Sequence, residues 1–304
     1  MKYADDIREL VGHTPLLKIN HVKHKPGVNI FAKLEYLNPA GSIKDRSALE
    51  IIKEAEQLGR LKPGMKLVEA TSGNMGIGLA FGAINKAYEM IIFIPKDFSL
   101  EKQKIMKAYG ATVIQTPTEQ GMQGAVAAAD EYIKNTPGCF IAHQFENPAN
   151  VTAHLVTGKE IYDDMDGKVD IFVAAAGSGG SITGAAKYLK QKIKNIKIVL
   201  ADPVGSVIGG GPEGNFKVEG IGNHFVPEIF DRTLVDEVEK IPDAEAYDLV
   251  NRMVKLEGAI GGPSSGEALA GAIRQAEKAR PGTNIVTIFP DRADRYFSEG
   301  IYNF

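Results

Sequence analysis

Short apolar runs alternate along the chain with segments in which apolar residues recur every three or four positions. The short runs predict strands, and the longer 3.6-residue periodicity predicts helices. The predicted strands are residues 30–34, 66–68, 90–94, 112–115, 171–176, 197–200 and 284–289. The predicted helices are residues 45–58, 76–86, 99–109, 122–134, the segment from the glycine-rich loop at 177–181 to about 192, 244–257 and 265–279. Strand–helix alternation of this kind predicts an α/β fold in which mostly parallel sheets are covered by helices.

Composition and charge exclude several classes of protein. The chain has 304 residues and is 44% hydrophobic, which is enough to bury a core. Its 35 basic and 38 acidic residues give a net charge of −3, so no general attraction to nucleic acid or to an anionic membrane is expected. A signal peptide and a membrane span are also not expected, because the first residues are polar and no apolar run approaches about 20 residues. A cytoplasmic protein is the default prediction.

The single cysteine and the six histidines indicate neither a disulfide nor a metal. Cys139 has no partner for an intrachain disulfide. The histidines show no metal-ligand spacing and no Ser-His-Asp arrangement. We therefore expect no metal site.

One lysine stands in an unusual setting. Lys44 belongs to the segment Asn-Pro-Ala-Gly-Ser-Ile-Lys-Asp-Arg at 38–46, which follows the apolar run at 30–34. A lysine held inside the protein at such a strand-to-helix junction would have a lowered pKa, and its neutral amine could condense with a carbonyl group. An ordinary solvated lysine that precedes a helix is the alternative interpretation.

A glycine- and serine-rich loop at 177–181 follows the continuous apolar run at 171–176. Backbone N–H groups beside a helix N-terminus bind phosphate through hydrogen bonds and the helix dipole. The loop matches neither the Walker pattern nor the dinucleotide-binding glycine pattern. It is therefore either a phosphate site of another kind or a tight structural turn.

Two further polar loops precede predicted helices. The segment Thr-Ser-Gly-Asn-Met-Gly at 71–76 presents hydroxyl, amide and backbone donors that suit a carboxylate or phenolate oxygen. The segment Gly-Gly-Pro-Ser-Ser-Gly at 261–266 is a weaker pattern, in which a serine either caps a helix or contacts a ligand.

In this order the segments closely resemble the cysteine synthase and cystathionine β-synthase family of enzymes that depend on pyridoxal 5′-phosphate, with the tryptophan-synthase-β-like fold. The resemblance runs from Gly12 to Tyr296 and includes the segments at 38–46, 69–78, 144–150, 177–181 and 219–222. It implies two domains: a larger phosphate-binding domain of residues 1–37 plus 145–304, and a smaller mobile domain of residues 38–144. It also implies a homodimer that binds amino-acid and thiol substrates.

The resemblance implies a role for each matching residue. Lys44 resembles the lysine that forms the Schiff base and acts as acid and base. Asn74 resembles the residue beside the phenolic oxygen of the cofactor, and Ser264 the serine that faces its pyridine nitrogen. The residues that match the phosphate-binding loop are Gly177, Ser178, Gly179, Gly180 and Ser181. The residues that match the pocket for the amino-acid carboxylate are Thr71, Ser72, Met75 and Gln144.

Two departures from the usual pattern bear on the substrate. Met75 stands where cysteine synthases usually carry threonine, so one hydroxyl donor near the carboxylate is missing. The segment 206–227 resembles short bacterial cystathionine β-synthases more than biosynthetic cysteine synthases. Within it, Gly222, Asn223 and His224 follow directly on Glu-Gly-Ile. We expect Gly222 and Asn223 to bind substrate. Asn223 and His224 form a polar pair that could bind the distal end of a larger second substrate, such as homocysteine or cysteine. For His224, a solvated loop histidine is the alternative interpretation.

The predicted function is β-replacement on O-acetylserine, serine or cysteine with a sulfur nucleophile. A binding or regulatory protein that keeps the fold without the chemistry is a further interpretation, and the presence of Lys44 argues against it. Two enzymatic alternatives stay open at this point. One is a cysteine lyase that releases hydrogen sulfide with lanthionine, cystathionine or serine as product, and the other is a β-eliminating deaminase of the same fold.

Overall fold

A computed structural model describes residue 1 and residues 3–302 of the chain. Its strands are β1 Leu16–Ile19, β2 Asn29–Leu34, β3 Lys66–Ala70, β4 Glu89–Pro95, β5 Thr112–Thr116, β6 Cys139–Ile141, β7 Ile171–Ala175, β8 Lys197–Pro203, β9 Glu237–Ile241 and β10 Asn284–Phe289. Its α-helices are α1 Lys44–Gln57, α2 Asn74–Ala83, α3 Leu100–Ala108, α4 Gly121–Asn135, α5 Pro148–Asp164, α6 Gly180–Lys192, α7 Asp243–Glu257 and α8 Pro263–Lys278. The expected α/β class is confirmed.

The larger sheet has six strands in the order β1-β2-β10-β7-β8-β9. All neighbouring pairs are parallel except β1 and β2, which are antiparallel. β7 was predicted to be buried on both faces because its sequence is continuously apolar, and its residues 171–174 are buried. The central strands of this sheet therefore form a rigid support for the loops that follow them.

The smaller sheet has four parallel strands in the order β5-β4-β3-β6. These strands all lie between Lys66 and Ile141, within the span predicted for the smaller domain. Helix α1 packs against α2 on one side and against α5 on the other, so it joins the parts of the chain that carry the two sheets. The division into two domains with the expected boundaries stays a prediction.

The loop before α1 is attached to the end of β10. The backbone N–H of Ile43 donates a hydrogen bond to the carbonyl oxygen of Pro290 at 2.8 Å, and Ser42 forms an isolated β-bridge with Asp291. Because β10 lies in the middle of the larger sheet, this attachment fixes Lys44 at the carboxyl edge of that sheet, where open α/β sheets bind their ligands.

Membrane insertion through a helix is not supported by this fold. Among the residues that the structure describes, every helix is too short or too polar to cross a bilayer.

Candidate active site

Four helices begin around one region of the molecule. α1 begins at Lys44, α2 at Asn74, α6 at Gly180 and α8 at Pro263. Helix N-termini carry unpaired N–H groups and a partial positive charge, so they stabilise anions. Their convergence creates a region suited to a ligand that carries a phosphate and a carboxylate.

Two adjoining cavities lie in this region. The wider one has a volume of about 540 Å³, and the narrower one lies deeper, at the carboxyl ends of β7 and β10. Both are lined by Lys44, Asn74, Gly220 and Ile221. The lysine therefore lies where the two cavities meet.

The amine of Lys44 is held in a weakly polar environment. Its Nζ donates a hydrogen bond to Oγ of Ser178 at 3.2 Å, and no ion pair links it to the described residues. Burial lowers the pKa of this amine to about 8. A larger fraction of the amine is thus neutral near neutral pH than in a solvated lysine, which is the state that a nucleophile or a base requires.

The loop between β7 and α6 leaves several backbone donors unpaired. The N–H groups of residues 178–181 make no hydrogen bond within the described chain. Ser178 lines the wider cavity and Ser181 the narrower one, so their hydroxyl groups lie beside the same unpaired donors. This set of donors fits a phosphate group.

The glycines of this loop do not line either cavity, but close packing requires all three, since a side chain at Gly179 would collide with that of Phe230. A side chain at Gly177 would collide with the carbonyl oxygen of Gly220, and one at Gly180 would collide with the side chain of Asn150. Gly179 has φ +81°, in the left-handed region that favours glycine. The glycines therefore shape the loop, while Ser178 and Ser181 line the cavities.

Ser264 lies in the first turn of α8 and lines the narrower cavity. The N-cap of that helix is Gly262, whose N–H donates to the carbonyl oxygen of Asp291 at 2.8 Å. Ser264 is buried, with an exposed fraction of 3%, and its hydroxyl is a neutral hydrogen-bonding group.

Asn74 lines both cavities, and its side chain is held by two residues that follow β10. Its Nδ2 donates to Oδ2 of Asp291 at 2.6 Å, and its Oδ1 accepts from Arg295. The hydroxyl of Tyr296 also donates to Oδ2 of Asp291. The first residue of α2 is therefore fixed to the end of the larger sheet.

The four residues predicted to bind a carboxylate lie together along the wider cavity: Thr71, Ser72, Met75 and Gln144. Oγ1 of Thr71 accepts hydrogen bonds from the N–H of Gly73 at 3.2 Å and from Nε2 of Gln144 at 3.4 Å. Met75 is 1% exposed and packs in the apolar core around the smaller sheet. Its side chain thus contributes chiefly to the apolar core.

The lining of the wider cavity also includes Gly222 and Asn223, and their contact with a substrate stays a prediction. Nδ2 of Asn223 donates to the carbonyl oxygen of Gly177 at 2.7 Å, so this loop is attached to the glycine- and serine-rich loop. His224 is exposed, stacks on Phe216 and pairs with Glu213, and it does not line the cavity. Of the two interpretations of His224, this position favours the solvated loop residue over a contact with the second substrate.

Two buried residues of α5 were not predicted to belong to the site, and His154 was expected to be structural. Nδ2 of Asn150 donates to Oγ of Ser178 at 3.0 Å and to the carbonyl oxygen of Gln144 at 2.9 Å. Nε2 of His154 lies 3.2 Å from Oγ of Ser181. Burial, with the nearby charges of Lys44 and Arg46, holds the pKa of His154 well below its usual range, so this histidine is neutral. The resemblance already included the segment that contains Asn150, which is the signal that could have identified it.

The far wall of the wider cavity is one face of α4, which was also not predicted. The residues of α4 that line the cavity recur at helical spacing: Met122, Gln123, Val126, Ala127 and Asp130. Phe145 and Phe225 lie on the same cavity, with ring centroids 5.2 Å apart.

Comparisons with known proteins agree with this geometry. Residues 7–291 match the family model described as "Pyridoxal-phosphate dependent enzyme". The chain is 44% identical over 303 residues to the O-acetylserine dependent cystathionine β-synthase of Bacillus subtilis, and the match covers 99% of both chains.

Solved structures show the same fold. The cysteine synthase of Entamoeba histolytica matches with a TM-score of 0.96 and 40% identity, covering 100% of this chain and 92% of that one. The O-acetylserine dependent cystathionine β-synthase of Helicobacter pylori matches with a TM-score of 0.94 and 38% identity, covering 100% of both. The chain thus belongs to the family of pyridoxal-phosphate-dependent enzymes, and the resemblance drawn from the sequence is confirmed.

The residues of the site fit this cofactor. The unpaired N–H groups at 178–181 offer donors to its phosphate, and Lys44 offers an amine with a lowered pKa to its aldehyde. Among the described residues, no group of three His, Cys, Asp or Glu side chains is arranged to hold a metal ion.

Proposed function

We propose that this enzyme joins O-acetylserine and homocysteine to form cystathionine and acetate. The bond between the β-carbon and the ester oxygen of O-acetylserine breaks, and a bond between that carbon and the sulfur of homocysteine forms. The ester oxygen leaves as acetate, and the thiol proton is released. The identity of 44% to a cystathionine β-synthase that uses O-acetylserine, across nearly the whole length of both chains, supports this choice of substrates.

The observation that carries the proposal is the position of Lys44 between two cavities. The narrower cavity is lined by Asn74, Ser181 and Ser264, and the wider one extends from the same amine to α4 and to the loop at 220–225. A volume of about 540 Å³ leaves room for a second amino acid behind the first. Hydrogen sulfide, the smallest sulfur nucleophile, does not require such a volume.

Bound pyridoxal phosphate supplies an aldehyde that condenses with amines and a ring that withdraws electrons from the α-carbon of an amino acid. We assign the binding of its phosphate to the N–H groups and hydroxyls of the loop at 177–181. Asn74 would contact its phenolic oxygen and Ser264 its pyridine nitrogen. The amine of Lys44 would hold the cofactor covalently when no substrate is bound.

We assign the carboxylate of O-acetylserine to the loop that joins β3 to α2. Thr71 and Ser72 present hydroxyl groups there, and the side-chain amide of Gln144 is within hydrogen-bonding distance of Thr71. The N-terminus of α2 adds a favourable field for a negative charge. Met75 supplies no side-chain donor, so backbone N–H groups of this loop take over that part of the binding.

Lys44 then acts as the base that removes the α-proton and holds it at Nζ. The lowered pKa of about 8 favours this role, because the neutral amine is accessible near physiological pH. The hydroxyl of Ser178, 3.2 Å from Nζ, positions the amine without adding a charge.

The uncharged hydroxyl of Ser264 influences which reaction the bound cofactor favours. A hydroxyl group does not stabilise a full positive charge on the pyridine nitrogen, whereas an aspartate would. The ring is then a weaker acceptor of electrons, which disfavours long-lived carbanions and suits prompt loss of the β-substituent. The Ser264→Asp variant should therefore show more transamination relative to β-replacement, and unchanged partitioning would contradict this role.

The remaining expectations extend this proposal. We propose that residues 38–144 move as a unit against the rest of the chain, that the enzyme is a homodimer and that it works in the cytoplasm. The resemblance to the family supports all three. Light scattering of the purified protein tests the dimer, and a monomer at micromolar concentration would contradict it.

A product assay tests the reaction. Purified holoenzyme receives O-acetylserine, serine or cysteine, each with homocysteine, sulfide, cysteine or no nucleophile, and products are identified by mass spectrometry. The proposal predicts that O-acetylserine with homocysteine gives the highest kcat/KM. Three other outcomes would overturn the proposal. Cysteine formation from O-acetylserine with sulfide as the only accepted nucleophile would indicate a cysteine synthase. Release of sulfide from cysteine would indicate a lyase, and formation of pyruvate without a nucleophile would indicate a deaminase.

A further inference from the structure

The charges along the wider cavity are few and lie on different helices. Among the described residues that line it, Lys44 is the only basic side chain and Asp130 is the only acidic one. Lys44 lies at the inner end, beside the loop at 71–75. Asp130 lies on α4, which forms the far wall.

The carboxylate of Asp130 is unpaired within the part of the chain that the structure describes. No ion pair or hydrogen bond links it to another described residue, although 22 ion pairs occur elsewhere in that part of the chain. Its neighbour Glu131 is exposed on the same helix but does not line the cavity. An unpaired carboxylate at the wall of a binding cavity is free to accept a cation from a ligand.

The surface between these charges is largely apolar. On α4, Met122 and Val126 precede Asp130 by two turns and by one turn, so the three side chains share one face of the helix. Phe145 and Phe225 face the same cavity. Methylene groups of a substrate can lie on this surface while a charged end reaches Asp130.

An amino-acid thiol has the complementary distribution of charge. Its sulfur must reach the β-carbon of the first substrate beside Lys44, so its ammonium and carboxylate groups point away from the reacting atoms. Its side-chain methylene groups lie between the two ends. Sulfide has neither methylene groups nor an ammonium group.

We infer that Asp130 binds the α-ammonium group of the second amino acid and thereby selects amino-acid thiols over simple thiols and sulfide. The inference rests on the proposed function, which supplies the position of the sulfur. Asp130 is exposed to solvent, so the ion pair is screened and its contribution is moderate. Asp130 is a specificity-determining residue and takes no part in bond breaking.

The test compares homocysteine with 4-mercaptobutyrate, which has the same chain without the amino group. Wild-type holoenzyme is expected to prefer homocysteine. In Asp130→Asn, we expect KM for homocysteine to rise about 3- to 10-fold. Three other parameters should change less than twofold: KM for 4-mercaptobutyrate, KM for O-acetylserine and kcat with sulfide. The preference for homocysteine over 4-mercaptobutyrate therefore falls.

Two further variants separate a direct contact from a general effect. Glu131→Gln makes the same change of charge one residue away and should leave KM for homocysteine unchanged. Asp130→Glu keeps the charge and should retain most of the preference. Equal effects of Asp130→Asn on homocysteine and 4-mercaptobutyrate, or equal effects of Asp130→Asn and Glu131→Gln, would overturn the assignment.

The outcomes also separate this inference from the proposed function. Wild-type enzyme that forms cystathionine, together with an Asp130→Asn variant of unchanged preference, overturns the ammonium site alone. Wild-type enzyme that accepts sulfide but no amino-acid thiol overturns both. Melting curves of each variant confirm that the changes in KM do not come from unfolding.

Discussion

The side-chain amine of Lys44 donates a hydrogen bond to the hydroxyl oxygen of Ser178 at 3.2 Å, although the two residues are 134 positions apart in the chain. Lys44 begins α1, and Ser178 belongs to the loop between β7 and α6. The hydrogen bond thus joins the residue that we expect to carry the aldehyde to the loop that we expect to hold the phosphate. One cofactor molecule could therefore be bound here by its aldehyde and by its phosphate.

Replacement of Lys44 should remove catalysis and preserve the fold. We expect Lys44→Ala to lower kcat for β-replacement by at least about 10³-fold, because base and attachment site are lost together. The free energy of unfolding of the apoprotein should change by about 1 kcal/mol or less, because one hydrogen bond is lost. Lys53→Ala, at an exposed position of the same helix, is the control. Turnover that persists in Lys44→Ala would remove Lys44 from its role.

The lowered pKa of Lys44 predicts an unusual pH dependence of its reaction with pyridoxal phosphate. Between pH 7 and pH 9 the neutral fraction of an amine with a pKa of about 8 rises about tenfold and then levels off. An ordinary lysine gains about 100-fold over that range and continues to rise. Apoprotein is exposed to the cofactor at several pH values and quenched with borohydride, with N-acetyl-lysine as the reference for the reagent. A labelling rate that climbs without a plateau up to pH 10 would contradict the lowered pKa.

Met75 should contribute more to stability than to substrate binding. Its side chain is 1% exposed in the core around the smaller sheet, so Met75→Thr leaves a void and buries a hydroxyl group. We expect a loss of about 2–4 kcal/mol in the free energy of unfolding. The similarly sized Met75→Leu should lose less than about 1.5 kcal/mol. Urea unfolding of the three proteins measures this, and a Met75→Thr variant as stable as wild type would place the side chain outside the core.

Glu267 should make the protein less stable as the pH rises. It is fully buried, neither carboxylate oxygen has a partner among the described residues, and burial raises its pKa to about 9. The folded state therefore keeps a proton that the unfolded chain loses above about pH 4.5. Stability from this group is present at low pH and is lost progressively towards pH 9.

The Glu267→Gln variant cannot ionise, so its melting temperature relative to wild type should increase between pH 5 and pH 9. We expect a relative gain of about 1–3 kcal/mol at pH 8. Glu277→Gln, at an exposed position of the same helix, should show no such trend. A difference between Glu267→Gln and wild type that stays constant across this range would show that Glu267 is already ionised in the fold.

Much of the fold could be predicted because most strands of both sheets are apolar and most helices between them are periodic; strands β1, β6 and β9 and helix α5 were not predicted. Helix α5 is the main omission, and its composition explains why. Its buried face includes Asn150, His154 and Glu160, so the apolar periodicity is weak. Glu160 is buried because Arg46 of α1 pairs with it. A polar residue that is buried through a distant partner cannot be recognised from local pattern.

The candidate site could be predicted in part for a related reason. Loops at the carboxyl ends of strands are recognisable by their glycine, serine and threonine content. Most of the residues named from those loops line the cavities, and Gly177, Gly179 and Gly180 do not. The wall formed by α4 has no such signal, because Val126 and Asp130 are ordinary residues of a solvent-exposed helix in the sequence. Only the packing of α4 against the smaller sheet brings them to the cavity.

The most direct test of the account is to locate the cofactor on the chain. Holoenzyme is reduced with borohydride, digested and analysed by mass spectrometry for peptides that carry a phosphopyridoxyl group. We predict one modified peptide, with the group on Lys44, and loss of that peptide when O-acetylserine is added before the reductant. Modification of a different lysine, or none in a protein that turns over substrate, would contradict the account.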